Sequence, residues 1–235
     1  MKILALDTAT ENCSAALLIN GNLRTREMLL NRGHAEHILT MVSELLADAE
    51  VALQGLDAIA FGRGPGAFTG VRLAASVTQG LAFGAAVRVV PVSNLQALAQ
   101  RVLLQEPAAA CVLVCTDARM HEVYCGAFER SAGGLATAAD AERVVAPEAV
   151  KLPAPWVAAQ SVGVGSAFAA YPELQAALPG LAVRAGLWPR AAEIVQLAAA
   201  EVRAGRTLAP EEALPVYLRD DVARPPAPRA SKSLI

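Results

Sequence analysis

Two stretches of this chain, 110 positions apart, read alike, and that likeness constrains the fold more than any single motif. Ile3-Leu-Ala-Leu-Asp7 is an apolar, strand-type run closed by an Asp, and a second strand-type run opens at Ser14. Val112-Leu-Val-Cys-Thr-Asp117 closes the same way and is followed by the run Glu122 to Phe128. An Asp at the end of the first strand of each half, beside a hairpin, is what a duplicated α/β domain presents. Coincidence is the alternative, since Asp is common where strands end.

Periodicity fills in the first half. Asn20-Gly21-Asn22 is a hairpin turn between Ser14–Ile19 and Leu23–Leu30. Ile38, Leu39, Val42, Leu45, Leu46 and Ala49 then recur at helical spacing. A strand is expected over Asp57–Phe61, a glycine loop over Gly62–Gly70, a helix over Val71–Ala85 and a strand over Val87–Val92. Ser93 is placed to cap a helix running to about Leu104. Glu106, Pro107 and the alanines beyond them mark a division, giving halves at 1–105 and 106–222. In the second half the expectations are a strand over 157–164, a helix over 189–204 and a short extended piece over 215–218. From Arg224 the prolines predict a loose tail, taken as 223–235.

Composition excludes several functions. Apolar residues make up 54% of the 235 positions but aromatics only 4%, which suits alanine-rich helix-on-sheet packing. Twenty basic residues against 22 acidic ones leave a net charge of −2 and no basic stripe, so tight stand-alone binding of nucleic acid is not expected. Asp7 and Glu11 interrupt the apolar start before a secretory core forms, and no run qualifies as a membrane span, so a cytoplasmic protein is expected. Cys111 and Cys115 on one strand would stand about 13 Å apart, too far for a disulfide. With Cys13 and Cys125 they read as free thiols.

The sharpest motif is Gly62-Arg-Gly64-Pro-Gly66-Ala-Phe-Thr-Gly70-Val-Arg72. Between a strand and a helix, its backbone N–H groups could cradle a phosphate, or its glycines could serve only a tight turn and close helix packing. It is not a Walker A loop, and its third glycine falls one position late for a dinucleotide fingerprint. Asp7, Gly64, Gly66, Gly163 and Gly165 are the candidate nucleotide contacts. His34 and His37 lack the spacing and third ligand of a helical zinc site, so no metal site is assigned. No nucleophile elbow is present, and no catalytic residue is assigned. Asp117-Ala-Arg119 with Glu122 is either a polar site edge or a structural charge cluster.

Taken in order, these pieces resemble one known family. Leu6-Asp-Thr-Ala-Thr10, Arg32-Gly-His-Ala-Glu36, the glycine motif to Arg72, Val92-Ser-Asn-Leu-Gln-Ala-Leu-Ala99, Asp117-Ala-Arg-Met-His-Glu-Val-Tyr124 and Tyr217-Leu-Arg219 all fit the TsaB (YeaZ) family. That is the dimerization subunit of the bacterial machinery that makes threonylcarbamoyladenosine in tRNA. The resemblance implies the actin-like, Hsp70-like fold with duplicated βββαβα halves. It implies a catalytic paralogue, TsaD, a small ATPase, TsaE, tRNA contact only through the complex, and a homodimer when the chain is alone. It also implies at most weak ATP or ADP binding. In the paralogue two histidines of a V-N-H-x-E-G-H run hold a metal. Asn94 and Leu98 stand in their places here, with Gln96 in place of the acid, which implies a supporting subunit. The helices 34–47 and 71–83 are implied to form the partner surface, through His34, His37, Met41, Thr69, Arg72, Ser76, Gln79 and Phe83. The reading from another class is an independent ATP-dependent phosphotransferase of the same fold. A metallopeptidase is disfavoured by the missing ligand pair.

Overall fold

The structure is a computed structural model and describes residues 1–219; the expected tail 223–235 lies outside the described residues. The strands β1 (Lys2–Asp7), β2 (Asn12–Ile19) and β3 (Asn22–Leu29) form an antiparallel meander. Asn20 and Gly21, with φ of 48° and 91°, make the tight turn between the last two. Helix α1 (His34–Asp48) leads to β4 (Ala58–Gly62), which pairs parallel to β1; α2 (Phe68–Ala85) leads to β5 (Arg88–Val92), parallel to β4. The sheet order is β3-β2-β1-β4-β5. Helix α3 (Asn94–Gln105) follows, and the Ser93 hydroxyl caps it by accepting the N–H groups of Leu95 and Gln96.

The second half repeats the plan with β6 (Cys111–Asp117), β7 (Val123–Arg130), β8 (Ala136–Ala138) and β9 (Arg143–Val145), the last two both pairing with β7. Strand β10 (Ser161–Val164) is parallel to β6, α4 (Ala167–Ala170) and α5 (Pro172–Ala176) are single turns, and β11 (Ala182–Arg184) is parallel to β10. Helix α6 (Ala191–Arg203) closes the half. From its β8 edge, this sheet runs β8-β7-β6-β10-β11, the counterpart of β3-β2-β1-β4-β5. The strand order thus carries the duplication that the two Asp-ended runs suggested, in an α/β fold with two mixed sheets.

The period-2 alternation of β1 decides its packing. Leu4 and Leu6 join Leu17, Ile38, Leu45 and Ala74 under α1 and α2, while Ile3 and Ala5 face Ile194, Val195 and Ala198 of α6. The central strands are buried on both faces, hence their unbroken apolar runs. The last helix of each half crosses over: α3 covers the second sheet, with Leu95, Leu98 and Val102 on Val112, Val114 and Phe128, and α6 covers the first.

Some expected boundaries shift. Helix α2 starts at Phe68, because Ala67 N–H is tied to Ala9 O at 2.8 Å and the turn begins there. The strand expected over 157–164 shrinks to 161–164, after a 3₁₀ turn at Ala158–Gln160. The short piece expected over 215–218 belongs to no sheet and is held by one backbone bond, Val216 N–H to Arg63 O at 2.8 Å. No helix among the described residues is long and apolar enough to cross a membrane.

Candidate functional site

Between the two halves lies a cleft of about 920 Å³, walled by Thr8 to Glu11 and Gly66 to Val71 on one side and Thr116 to Met120 on the other. Behind the first wall sits Asp7, fully buried at the end of β1. Asn94 Nδ2 donates to Asp7 Oδ1 at 2.8 Å, and Asn94 Oδ1 accepts the Gly64 N–H at 2.8 Å. Asn94 N–H in turn donates to Gly64 O at 3.0 Å. One side chain thus ties β1, the glycine loop and α3 together. Asp7 Oδ2 has no partner. Burial pushes the Asp7 carboxyl up to about 7, against the pull of Asn94 and the Ala9 and Thr8 N–H groups.

The glycine motif serves close approach. A Cβ on Gly70 would stand 2.1 Å from Thr8 O, one on Gly66 2.6 Å from Ala9 O, and one on Gly62 2.2 Å from Asp7 Oδ1. Thr8 Oγ1 donates to Gly70 O at 2.7 Å, locking the β1–β2 connection onto the first turn of α2. Of the five candidate nucleotide residues only Gly66 lines the cleft. Gly64 holds φ +100° beneath Val216 O, and Gly165 holds φ +120° against Cys115 O. Gly163 packs beneath Leu181 and Phe168.

On the opposite wall Asp117 is satisfied. Tyr171 Oη donates to its Oδ1 at 2.7 Å, as does Arg119 N–H at 2.7 Å, and Arg119 Nη1 lies 3.0 Å from Oδ2. His121 pairs with Glu173 at 3.2 Å, and His34 Nε2 donates to Thr10 O at 2.8 Å, so neither imidazole addresses a nucleophile. Among the described residues no group of three or more His, Cys, Asp or Glu side chains is placed to hold a metal ion. Burial raises the Cys13 thiol to about 11, which keeps it protonated. All four cysteines are free; Cys115 and Cys125 face each other across β6 and β7 with sulfurs 3.8 Å apart, a pairing invisible until strand register is known.

The second feature is a face of α2. Thr69, Ser76, Gly80 and Phe83 point outward, with Arg72 and Gln79 half-buried beside them, while Ala74 and Ala75 lie against the sheet. On α1 His34 and His37 are half-buried, but Met41 turns inward and is only 6% exposed, because its position on the helix falls on the stripe that covers the sheet. Two rings stand out of this face, Phe68 at 56% and Phe83 at 61% exposure. The Arg72 guanidinium lies 3.2 Å over the Phe68 ring and 4.8 Å from that of Tyr217. Phe68 and the Tyr217 ring were not among the surface residues expected from sequence. The i, i+4 pair Phe68/Arg72 was the readable signal, hidden by starting the helix three residues late.

Residues 28–227 match the family described as TsaD, tRNA N6-adenosine threonylcarbamoyltransferase. The chain is 40% identical to the "tRNA threonylcarbamoyladenosine biosynthesis protein TsaB" of Escherichia coli (strain K12), over 95% of this chain and 96% of that one. It is 38% identical to the protein of the same name from Haemophilus influenzae, over 94% and 95%. Among solved structures, "YeaZ from Pseudomonas aeruginosa" superposes with a TM-score of 0.84 at 43% identity, covering 92% of this chain and 99% of the other. A second Pseudomonas aeruginosa structure, of an uncharacterized protein with similarity to peptidase YeaZ, gives 0.86 at 43% identity, over 93% and 99%.

Proposed function

The chain belongs to the family that the TsaD description covers and, within it, to the TsaB (YeaZ) proteins, and from that premise we propose that it serves tRNA threonylcarbamoyladenosine biosynthesis as a non-catalytic subunit docking a TsaD-type transferase. The observation that carries the docking is the outer face of α2. Gly80 sits in the helix interior and Gly84 in its last turn, and a Cβ on either would meet nothing within 4 Å. A glycine there costs about 1 kcal/mol of helix stability relative to Ala, and no packing within the chain calls for it. Close approach of a partner helix does, flanked by the exposed Phe68 and Phe83 rings as anchors. His34, His37, Thr69, Arg72, Ser76 and Gln79 complete the proposed surface. Met41 supports it from below by holding α1 to the sheet.

The non-catalytic part is supported by what Asn94 and Leu98 do here. Asn94 is committed to Asp7 and Gly64, and Leu98 is buried under the second sheet. We further propose that a TsaE-type ATPase and tRNA are met through the complex, and that a nucleotide enters the cleft only there. Gly66 would approach it directly, with Asp7, Gly64, Gly163 and Gly165 shaping the walls. The test is size-exclusion chromatography with light scattering, on the chain alone and mixed with its TsaD-type relative. A self-dimer that gives way to a mixed complex is expected. A chain that never co-elutes with the relative would sink the proposal.

A further inference from the structure

Beyond α6 the chain makes a circuit through a β-bridge at Leu208 and a 3₁₀ turn at Pro210–Glu212. Leu208 exchanges two backbone hydrogen bonds with Val89 at the outer edge of β5, 3.0 and 2.9 Å. Ala213 is fully buried in the core beneath α2. Val216 N–H then reaches Arg63 O at 2.8 Å, and the Tyr217 ring settles 6.3 Å from Phe68. Two residues later the chain is bound to the other half. Arg219 pairs with the Glu122 carboxylate, donates to Arg119 O at 3.3 Å, and has a second nitrogen 3.3 Å from the Met120 sulfur.

The receiving turn is strained. Arg119, Met120 and His121 have φ of 64°, 56° and 59°, a conformation that non-glycine residues keep only where neighbours over-determine it. Asp117 holds one end, Glu173 holds His121, and Arg219 reaches Arg119 O and the Met120 sulfur from beyond α6. Met120 is thereby left 72% exposed at the mouth of the cleft. Arg219 itself is only 16% exposed, so its ion pair with Glu122 is partly shielded from solvent and salt.

We infer that Arg219 latches residues 213–219 as a strap across the mouth of the cleft, and that a partner seated on Phe68, Arg72 and Tyr217 reads the state of that latch. The strap is anchored on the first half at Val216 and on the second at Arg219. Tyr217, between those anchors, touches the docking face. A partner that moves the Tyr217 ring therefore pulls on Arg219, and by linkage a released Arg219 changes the affinity of the partner. The second clause rests on the docking proposed above; the first does not.

Hydrogen–deuterium exchange on the full chain tests the latch, comparing wild type with Arg219→Ala, Glu122→Arg and the reversed pair Arg219→Glu/Glu122→Arg. Both single variants are expected to speed exchange in residues 118–124 about tenfold, the reversed pair to restore it in part, because a carboxylate at position 219 re-forms the ion pair but cannot donate to Arg119 O, and α6 to stay unchanged. Wild-type exchange rates in Arg219→Ala would overturn the latch. Titration with the TsaD-type relative tests the coupling: about fivefold weaker binding for Arg219→Ala is expected, partly recovered in the reversed pair. Equal affinities would overturn the coupling. A wild-type chain that fails to bind the relative would instead overturn the docking proposal, and the exchange measurement would still judge the latch.

Discussion

The two halves share a strand order but not a helix inventory. In the first, α1 and α2 have 15 and 18 residues and leave an outer face uncovered. In the second, the position after the meander holds only 3₁₀ turns, and α4 and α5 have 4 and 5 residues. Both versions cover a sheet: Leu174, Leu178 and Phe168 do for β6 and β7 what Ile38, Met41 and Ala74 do for β1 and β2. Length beyond that need is what the first half has and the second lacks. A fold can hold its core with single turns, so the full-length α1 and α2 point to a task outside the core.

The paired aspartates differ in the same direction. Asp117 has Tyr171 and Arg119 as donors and stays partly open, whereas Asp7 is sealed with one oxygen unsatisfied. The Asp7 folded value, about 7, lies above its ordinary 3.8, so the folded state holds the proton more tightly. Its effect on stability is therefore absent at low pH, grows as pH rises from about 4 to 7, and then levels off. Asp7→Asn is expected to be stabilising by up to ~4 kcal/mol at pH 8 and near neutral at pH 4. Asp117→Asn, which weakens bonds to charged and phenolic donors, is expected to cost ~1 kcal/mol. Urea midpoints from pH 4 to 8 decide it. If the two Asn variants behaved alike, the contrast between the halves would not extend to their aspartates.

Much of this was readable in the residues themselves, and the failures have physical causes. The apolar run Ile3–Leu6 closed by Asp7, and the turn at Asn20-Gly21, mark the first meander directly. Strands β8, β9 and β11 escaped because three residues are too few to show a period. Single-turn α4 and α5 did so because Pro172 splits an already short helical run. Met41, which the resemblance put on the partner surface, falls on the stripe of α1 that covers the sheet and is only 6% exposed. The role of Asn94 could be seen only as a missing ligand, since its bonds to Asp7 and Gly64 join positions 87 and 30 residues away. The glycine motif illustrates the deeper limit. Its residues told where glycines were needed, but not that Thr8 and Ala9 stand in the space that the missing Cβ atoms of Gly70 and Gly66 leave.

Charge placed on the two kinds of helix probes the comparison next. Ser76→Arg on the outer face of α2 is expected to weaken binding of the TsaD-type relative at least about a hundredfold, by desolvating an unpaired guanidinium in the interface. Gln175→Arg, on the exposed side of α5, is expected to leave binding within about twofold. Both should melt within a few degrees of wild type, which separates docking from folding. Equal losses would mean that the partner covers both halves, and would remove the argument from helix length.

The smallest effect is the most discriminating, because it carries opposite signs in two assays. Gly80→Ala adds a methyl to an exposed helix interior where nothing stands within 4 Å. Alone, the chain is expected to gain ~0.5–1 kcal/mol, from reduced backbone entropy in the unfolded state and better helix propensity. That amounts to a rise of roughly 1–4 °C in Tm for a chain of this size. Toward the partner the same methyl separates two backbones that the glycine let approach, and affinity is expected to fall about tenfold. Gly133, in the turn before β8, gives the control, since an alanine there touches only the Ser131 hydroxyl at 4.0 Å and should move neither measurement. Calorimetry of the chain with titration of the complex reads both signs. A Gly80→Ala chain that is more stable and binds as well as wild type would mean that this glycine answers to no partner, and α2 would then have to dock through its rings alone.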